Sequence, residues 1–571
     1  MMHNHELATI FEQIAVMLEI LGEDRFRVNS YQKAARVIEE LPRDAGAMLA
    51  DGELAEVAGI GKGTLGRVEE YVKTGKVTVH QELRARLPEG LMGLMAIPGV
   101  GPKTVSLAWK RLGVTNVEDL RRVIEDGSLA GLAGMGKKKV EKIRQGLAFV
   151  AAGAGRTLLG IALPIAEEIL AHFRTVEGVV RVEAAGSLRR WSETVGDIDI
   201  LVEADEGQRV LEDFVRSSLV AQVLAVGATK ASVRVAEDIQ VDVRVVPAES
   251  FGAALQYFTG SKAHNVRLRE IAVKHKWKLN EYGLFKGERR VAGADEEGIY
   301  AKLGLAWIPP ELREDRGEIE NADKLPKLIE RSDIRGDLHL HTEASDGSRT
   351  IEEMIEACIA RGYQYMCITD HSKSSRIANG LDEGRLEAHI KRIRKAARSY
   401  ERDILVLAGA EVDILADGRL DYGYELLAEL DLVTASVHSG LGQPGEKITT
   451  RIMTAMDHPY VRIIGHPTGR IIGERAESKL DMARVLSHAA ETGTWMELNA
   501  SWSRLDLKDV YLRQAKEAGV RIAICTDSHD VHHLDFMAFG VYTARRGWLE
   551  AQDVVNTLSA KELTRRLAAG K

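Results

Sequence analysis

The sequence predicts a multidomain chain of α and α/β class: a helical head, a mixed middle region and a C-terminal (β/α)7-type barrel. Three observations predict it. At 571 residues the chain is too long for one hydrophobic core. Over residues 1–155 apolar side chains recur at three- and four-residue spacing between Gly-rich turns, the helical period. From Gly336 onward strand-like runs alternate with helical ones seven times, each strand ending in polar residues.

Composition narrows the class. Apolar residues make up 45% and charged residues 28%, an ordinary globular balance without an apolar run of membrane-spanning length. The three cysteines, Cys358, Cys367 and Cys525, cannot build a disulfide framework, which points to a reducing cytoplasm. Net charge is −8, yet residues 101–150 carry 10 basic against 5 acidic side chains, and 261–290 carry 9 against 3. Basic patches on an acidic protein suit localised phosphate contact.

In the head one turn recurs: Val57-Ala-Gly59-Ile-Gly61, Ile97-Pro-Gly99-Val-Gly101 and Leu132-Ala-Gly134-Met-Gly136, each before a helix bearing Lys or Arg. Glycines let the backbone approach a phosphate, amides at the helix start meet it, and a nearby cation such as Arg67 or Lys103 adds charge. The three turns resemble the helix-hairpin-helix, which grips the DNA backbone without reading sequence.

Residues 156–250 change character, with strand-like runs at 180–184, 198–203, 232–236 and 239–246 and a helical stretch near 208–218; residues 251–315 return to helix with a strand or two. In the run Val-Gly196-Asp197-Ile-Asp199-Ile-Leu-Val two carboxylates stand two residues apart, so a strand would turn both to one face. Held that close they repel unless a cation lies between them. Asp242, in an alternating run of its own, can complete the set from a neighbouring strand. Three carboxylates suit two Mg²⁺ or Mn²⁺ ions in phosphoryl transfer. Ten residues upstream, Gly186-Ser187 offers amide and hydroxyl donors to phosphate, and Arg190 can neutralise developing charge.

This Gly-Ser plus Asp-x-Asp combination resembles the nucleotidyltransferase superfamily. Tyr257-Phe258-Thr-Gly260-Ser261, followed by Asn265 and Arg269, is similar to the nucleotide pocket of family X DNA polymerases. That resemblance implies that Tyr257 and Phe258 line the sugar, Asn265 reads the minor-groove edge of the base and Arg269 touches the template. It also implies nucleotide contacts from Gly186, Ser187, Arg190, Gly196 and Gly260. One departure matters: where lyase-active family members place a Schiff-base lysine, this chain has Arg67. Arginine stays protonated and cannot act as an amine nucleophile, so deoxyribose-phosphate lyase activity is not expected, Lys62 being the alternative amine.

The C-terminal repeats place His339 and His341 on one strand face, Asp346 a short loop later, and His371, Glu411, His438, His466, Asp527 and His529 at strand ends, nine candidate ligands on one barrel rim. They exceed the four ligands of a structural zinc site and call for two or three ions, Zn²⁺ or Mn²⁺, with open positions. These segments resemble PHP (polymerase and histidinol phosphatase) phosphoesterases across 336–571. Arg470 and Asn499 are candidate substrate contacts.

Together the resemblances imply a DNA-binding head with fingers (1–155), a palm (156–250), a thumb (251–315), a charged linker (316–335) and a PHP barrel (336–571). The expected activity is gap-filling DNA synthesis in repair joined to 3′→5′ exonuclease, 3′-phosphatase or abasic-site hydrolysis. Expected partners are gapped or nicked DNA and dNTPs, with no membrane, for a monomeric protein. A DNA-end scaffold with decayed centres is disfavoured by the complete ligand sets.

Overall fold

The computed structural model describes residues 2–39, 41, 43–57, 59–88, 90–97, 99–153 and 155–569; Ala58 and Pro98 of the turn motifs lie outside them. Two compact units divide the chain, one of residues 1–154 with 473–475 and the other of residues 155–472 with 476–571. Among the described residues no helix is long and apolar enough to cross a membrane.

The first unit is helical. Its three hairpin turns share one geometry, closed by backbone bonds from Ile60 to Val57 (3.0 Å), Val100 to Ile97 (2.9 Å) and Met135 to Leu132 (3.0 Å). Gly59, Gly99 and Gly134 have φ of +109°, +88° and +82°, a region that disfavours a Cβ. Ile60, Val100 and Met135 plug each turn into the core. The second glycine of each motif serves differently. Gly61 and Gly101 are extended and cap the helices Lys62–Thr74 and Pro102–Leu112 without a side-chain partner. A Cβ at Gly61, Gly101 or Gly136 would meet nothing within 4 Å, so these positions leave the helix start open instead of relieving a clash.

In the second unit a five-stranded sheet runs Val179–Ala184, Ile198–Ala204, Gln240–Val246, Lys230–Arg234, Gln222–Val226, with the helix Leu159–Thr175 packed on it. The strand expected at 232–236 lies two residues earlier. The strand Gln222–Val226 escaped the sequence because all its side chains are exposed and carry no burial alternation. The helices Phe251–Thr259 and Lys262–Lys274 follow, then a three-stranded antiparallel sheet and the helix Glu296–Lys302.

Residues 316–335, read from their charge as a linker, are packed along their length. Ile319, Ala322 and Leu328 join one core with Trp548, while Ile329 and Ile334 join the barrel core. Glu318, fully buried, meets His264 at 2.7 Å and accepts from the amides of Asp315 and Arg316.

The barrel holds seven parallel strands in sequence order, from Gly336–Leu340 to Ile522–Cys525. A bridge between Leu340 and Ser528 and the bond from His341 N to Ser528 O (2.8 Å) bring its first and last segments together. All three cysteines are buried and none forms a disulfide.

Candidate active sites of the palm and the barrel

The palm site is set by strand register. Ile198–Ala204 and Gln240–Val246 pair in parallel with Asp199 directly opposite Asp242, and Asp197 immediately precedes the first strand. Carboxylate oxygens of all three lie within 4.8 Å of one another. Burial, and then the charges of Asp197 and Asp242, push Asp199 up to about 7. Asp242 goes the other way. Burial opposes its charge, but hydrogen bonds from Lys230 (2.7 Å), Ser232 and Gln240 (3.2 Å) hold it below the usual carboxylate range. A carboxyl triad in which one member is driven towards protonation by burial and then by its neighbours is a site whose charge a divalent cation would relieve.

Gly186 has φ +63°, and a Cβ there would stand 2.5 Å from Asp199 Oδ2, so the Gly-Ser element lies directly against the triad. Gly196 leads into Asp197, its Cα facing Arg156. Ser187 is half-buried on the same short element, and its carbonyl accepts from Ser192 N at 3.0 Å. Arg190, read as a charge neutraliser, is committed elsewhere: its Nε meets Glu314 at 3.0 Å and its Nη1 donates to the Thr259 carbonyl at 2.5 Å. Its neighbour Arg189, which no sequence motif marks, pairs with both oxygens of Glu296 at 2.9 Å.

Tyr257 and Phe258 sit edge to face, 5.1 Å between centroids, with Arg244 over the Phe258 ring at 4.5 Å. Gly260 (φ +68°) ends their helix. Asn265 accepts from Gln256 and donates to the Tyr257 carbonyl, both at 2.7 Å, so in this conformation its amide braces the pocket wall. Arg269 lies half-buried on the helix Lys262–Lys274. In the head, Lys103 is exposed in the first turn of its helix. Arg67 lies over the Tyr31 ring at 5.2 Å in a cleft of about 490 Å³ shared with Arg27, Ser30 and Thr64.

The barrel brings all nine rim candidates together around three carboxylates. Glu411 is the hub: His371 Nδ1 lies 2.8 Å from it, His466 Nε2 2.9 Å, His438 Nε2 3.2 Å and His339 Nε2 3.5 Å. Asp527 faces His341 Nε2 at 3.1 Å and His339 Nε2 at 3.7 Å. Asp346 faces His529 Nε2 at 3.3 Å and His371 Nε2 at 3.4 Å. Yet His339 Nε2, both His341 ring nitrogens, His371 Nδ1 and both Glu411 oxygens are buried without hydrogen-bond geometry to any partner. Buried polar atoms are rarely left so. Lone pairs converging on shared points without bonding one another are what ligands of common cations present, and the donor set of imidazole and carboxylate fits Zn²⁺ or Mn²⁺. Burial, with His529 and His371 crowding it at 4.3 and 4.4 Å between centroids, lowers His341 to about 4, which keeps it in the neutral, ligating form.

A surrounding layer, not singled out from the sequence, aims these rings. Glu497 meets His339 Nδ1 at 2.6 Å, Asp413 meets His438 Nδ1 at 2.6 Å, and Ser374 and Ser375 each donate to Asp413 at 2.8 Å. Such carboxylate–imidazole pairs fix the tautomer that leaves Nε2 free to bind. A carboxylate two residues beyond a ligand on the same strand, as Asp413 follows Glu411, was the available signal. Asn499 belongs to this layer too: it donates to Asp527 Oδ2 at 2.9 Å and is wholly buried, which turns it from substrate contact to ligand support. Arg470, the other candidate contact, donates to Glu193 at 2.7 Å and to the Leu505 carbonyl at 2.6 Å.

A helical head with three repeated glycine turns, a carboxylate palm with its thumb and an imidazole-rimmed barrel define a nucleotidyl-transferring core joined to a phosphoesterase. Comparison with known families agrees segment by segment. Residues 2–77 match a helix-hairpin-helix domain, 92–148 a SAM-like helix-hairpin-helix tandem, 163–250 the DNA polymerase beta palm, 254–314 the DNA polymerase beta thumb and 337–501 the PHP domain. The chain is 41% identical over 567 residues to the DNA polymerase/3′-5′ exonuclease PolX of Bacillus subtilis, covering 98% of this chain and 99% of that one. It belongs to this PolX family, the family X DNA polymerases that carry a C-terminal PHP domain. DNA polymerase lambda of Arabidopsis thaliana is 27% identical over 345 residues, 54% of this chain and 62% of that one. A probable phosphatase of Caldanaerobacter subterraneus is 33% identical over 204 residues, 34% of this chain and 75% of its own.

Proposed function

We propose that the chain is a DNA-directed DNA polymerase that fills short gaps during repair and, at a second centre, hydrolyses phosphoesters at 3′ ends, acting as a 3′→5′ exonuclease. The observation that carries this reading is the coexistence of two intact ligand sets: Asp199 opposite Asp242 beside Asp197, and three barrel carboxylates ringed by six imidazoles.

In the palm, Asp197, Asp199 and Asp242 would hold two Mg²⁺ or Mn²⁺ ions. These supply activation of a primer 3′-hydroxyl and neutralisation of the triphosphate. Lys230 keeps Asp242 ionised for that task. The Gly186-Ser187 backbone and hydroxyl face the triphosphate, and Tyr257 and Phe258 form the wall against the sugar. On the barrel rim the nine ligands would hold two or three Zn²⁺ or Mn²⁺ ions, supplying an activated water and a clamp for the leaving oxygen, so no side-chain nucleophile is required. Glu497 and Asp413 orient the imidazoles, and Asn499 fixes Asp527.

The head would bind gapped or nicked DNA by backbone phosphate contacts at Gly59, Gly61, Gly99, Gly101, Gly134, Gly136 and Lys103. The Arg67 cleft, with Arg27, Ser30 and Thr64 beside it, fits a DNA phosphate. Its permanently charged guanidinium suits phosphate binding and excludes lyase chemistry at that position. Three buried cysteines without a disulfide fit a cytoplasmic protein.

The test is the wild-type protein on a one-nucleotide gap with dNTPs, products resolved on a denaturing gel under Mg²⁺ and then Mn²⁺. Addition of one nucleotide and shortening from the 3′ end are both expected; a protein that does neither contradicts the reading.

A further inference from the structure

The turn Arg190–Glu193 joins the Gly186-Ser187 element to the short strand Thr194–Val195, and thence to Asp197 and Asp199. It carries both halves of the palm site, and side chains of the barrel hold it. The Trp191 indole stacks on Tyr542 at 3.7 Å between centroids with the planes 3° apart, and Phe539 meets its edge at 5.9 Å. Arg546, on the same helix as Tyr542 (Met537–Arg546), donates to the Arg190 carbonyl at 2.7 Å; it also bonds Glu314 at 3.0 Å and Asp509 at 2.9 Å. Arg470 takes the far end of the turn, donating to Glu193 at 2.7 Å. Behind it, Trp502 packs so tightly on Gly160 that a Cβ there would lie 2.2 Å from the indole.

The backbone of the turn explains why it needs holding. Trp191 has φ +52°, a left-handed conformation that costs a bulky residue energy and persists only where its surroundings impose it. Trp191 is half-buried with its face on Tyr542. Three contacts from the barrel, to Arg190, Trp191 and Glu193, fall on the segment between the Gly-Ser element and the first carboxylate.

We infer that the barrel is a structural part of the polymerase centre: Tyr542, Arg546 and Arg470 are positioning residues that clamp the 190–193 turn and so fix Gly186-Ser187 and Asp197 for nucleotide addition. This rests on the polymerase reading of the palm. Tyr542 acts through the aromatic face of its ring, so the hydroxyl is dispensable. It belongs to no ligand set of the rim, so hydrolysis does not depend on it.

The experiment compares Tyr542→Ala, Tyr542→Phe and Glu193→Gln with wild type in full-length protein, on a one-nucleotide gap with excess dNTP omitted or supplied. Tyr542→Ala is expected to lower kcat/KM for the dNTP about tenfold or more, through both a lower kcat and a higher KM, while the KM for gapped DNA and the rate of 3′ hydrolysis stay within about twofold. Tyr542→Phe restores wild-type addition. Glu193→Gln takes the charge out of the Arg470 anchor from the half-exposed palm side, where folding is not at risk, and lowers addition about threefold with hydrolysis unchanged. Wild-type addition by both Tyr542→Ala and Glu193→Gln overturns the clamp, as does parallel loss of addition and hydrolysis in Glu193→Gln. Absence of nucleotide addition by the wild type overturns the polymerase reading itself.

Discussion

Asp199 and Asp242 are register partners on adjacent parallel strands, so the ladder that pairs Ile198–Ala204 with Gln240–Val246 also sets the spacing of their carboxylates. A slip of one residue would turn one of them to the opposite face of the sheet. The apolar residues that alternate with them, Ile198, Ile200, Val241 and Val243, are buried and prevent that slip. The spacing of the two carboxylates is therefore specified by the core pattern of two strands.

Removal of Asp242 tests that geometry. Asp242→Asn keeps the shape but not the charge, and leaves Lys230 facing an amide. It is expected to reduce nucleotide addition by at least about 100-fold, measured as single-turnover extension, because charge neutralisation in such sites contributes several kcal/mol. Retention of more than a tenth of the wild-type rate contradicts the role given to Asp242.

On the barrel, Glu497 fixes His339 by a 2.6 Å bond to Nδ1. Glu497→Gln is expected to raise the Mn²⁺ concentration needed for half-maximal 3′ hydrolysis by about 10- to 100-fold, the usual cost of losing such a carboxylate. Extension by the palm should be unaffected. An unchanged metal dependence would show that Glu497 is not needed to aim the ring.

The Glu296 cluster gives a pH dependence. Burial alone would raise this carboxyl, but the charge of Arg313 (2.6 Å) and the hydrogen bonds from Arg189 (2.9 Å) hold it at about 2, below its ordinary 4.5. Its contribution, on the order of 3 kcal/mol, is fully present above pH 4.5 and is lost as pH falls through the folded value of about 2. Wild-type thermal midpoints should thus fall more steeply than those of Glu296→Gln between these values. Parallel curves would remove the cluster from the account.

Among the hairpin glycines, Gly99 combines φ +88° with a Cβ position 3.3 Å from Lys142 Cγ. Gly99→Ala is expected to destabilise the head by about 1–2 kcal/mol and to weaken gapped-DNA binding in a filter or anisotropy assay. Binding and melting equal to wild type would show that the turn tolerates a side chain.

The candidate ligands of the two centres were legible because each is a ligand type in, at the end of, or in the loop after a strand, a local property of the sequence. What aims them was not. Lys230 reaches Asp242 across the sheet, and Glu497 reaches His339 across the barrel from 158 positions away in the chain. Arg190 and Arg470 have the right chemistry for a phosphate and the right sequence neighbours, yet long-range carboxylates, Glu314 and Glu193, claim them. Residues 316–335 misled for the same reason: Glu318 and Arg316 read as solvated charge, but their partners lie in His264 and Asp509. The strand Gln222–Val226 was hidden differently, by an exposed edge position that leaves no apolar alternation to detect.

The central claim is that one chain holds two chemically separate centres, a carboxylate palm that adds nucleotides and an imidazole rim that removes them. Its most direct test runs Asp242→Ala and His339→Ala side by side on the same one-nucleotide gap, with extension and shortening read from one gel. The account predicts that Asp242→Ala shortens the primer without extending it and His339→Ala extends it without shortening it. Loss of both activities in either variant, or extension by Asp242→Ala in Mn²⁺, would contradict it.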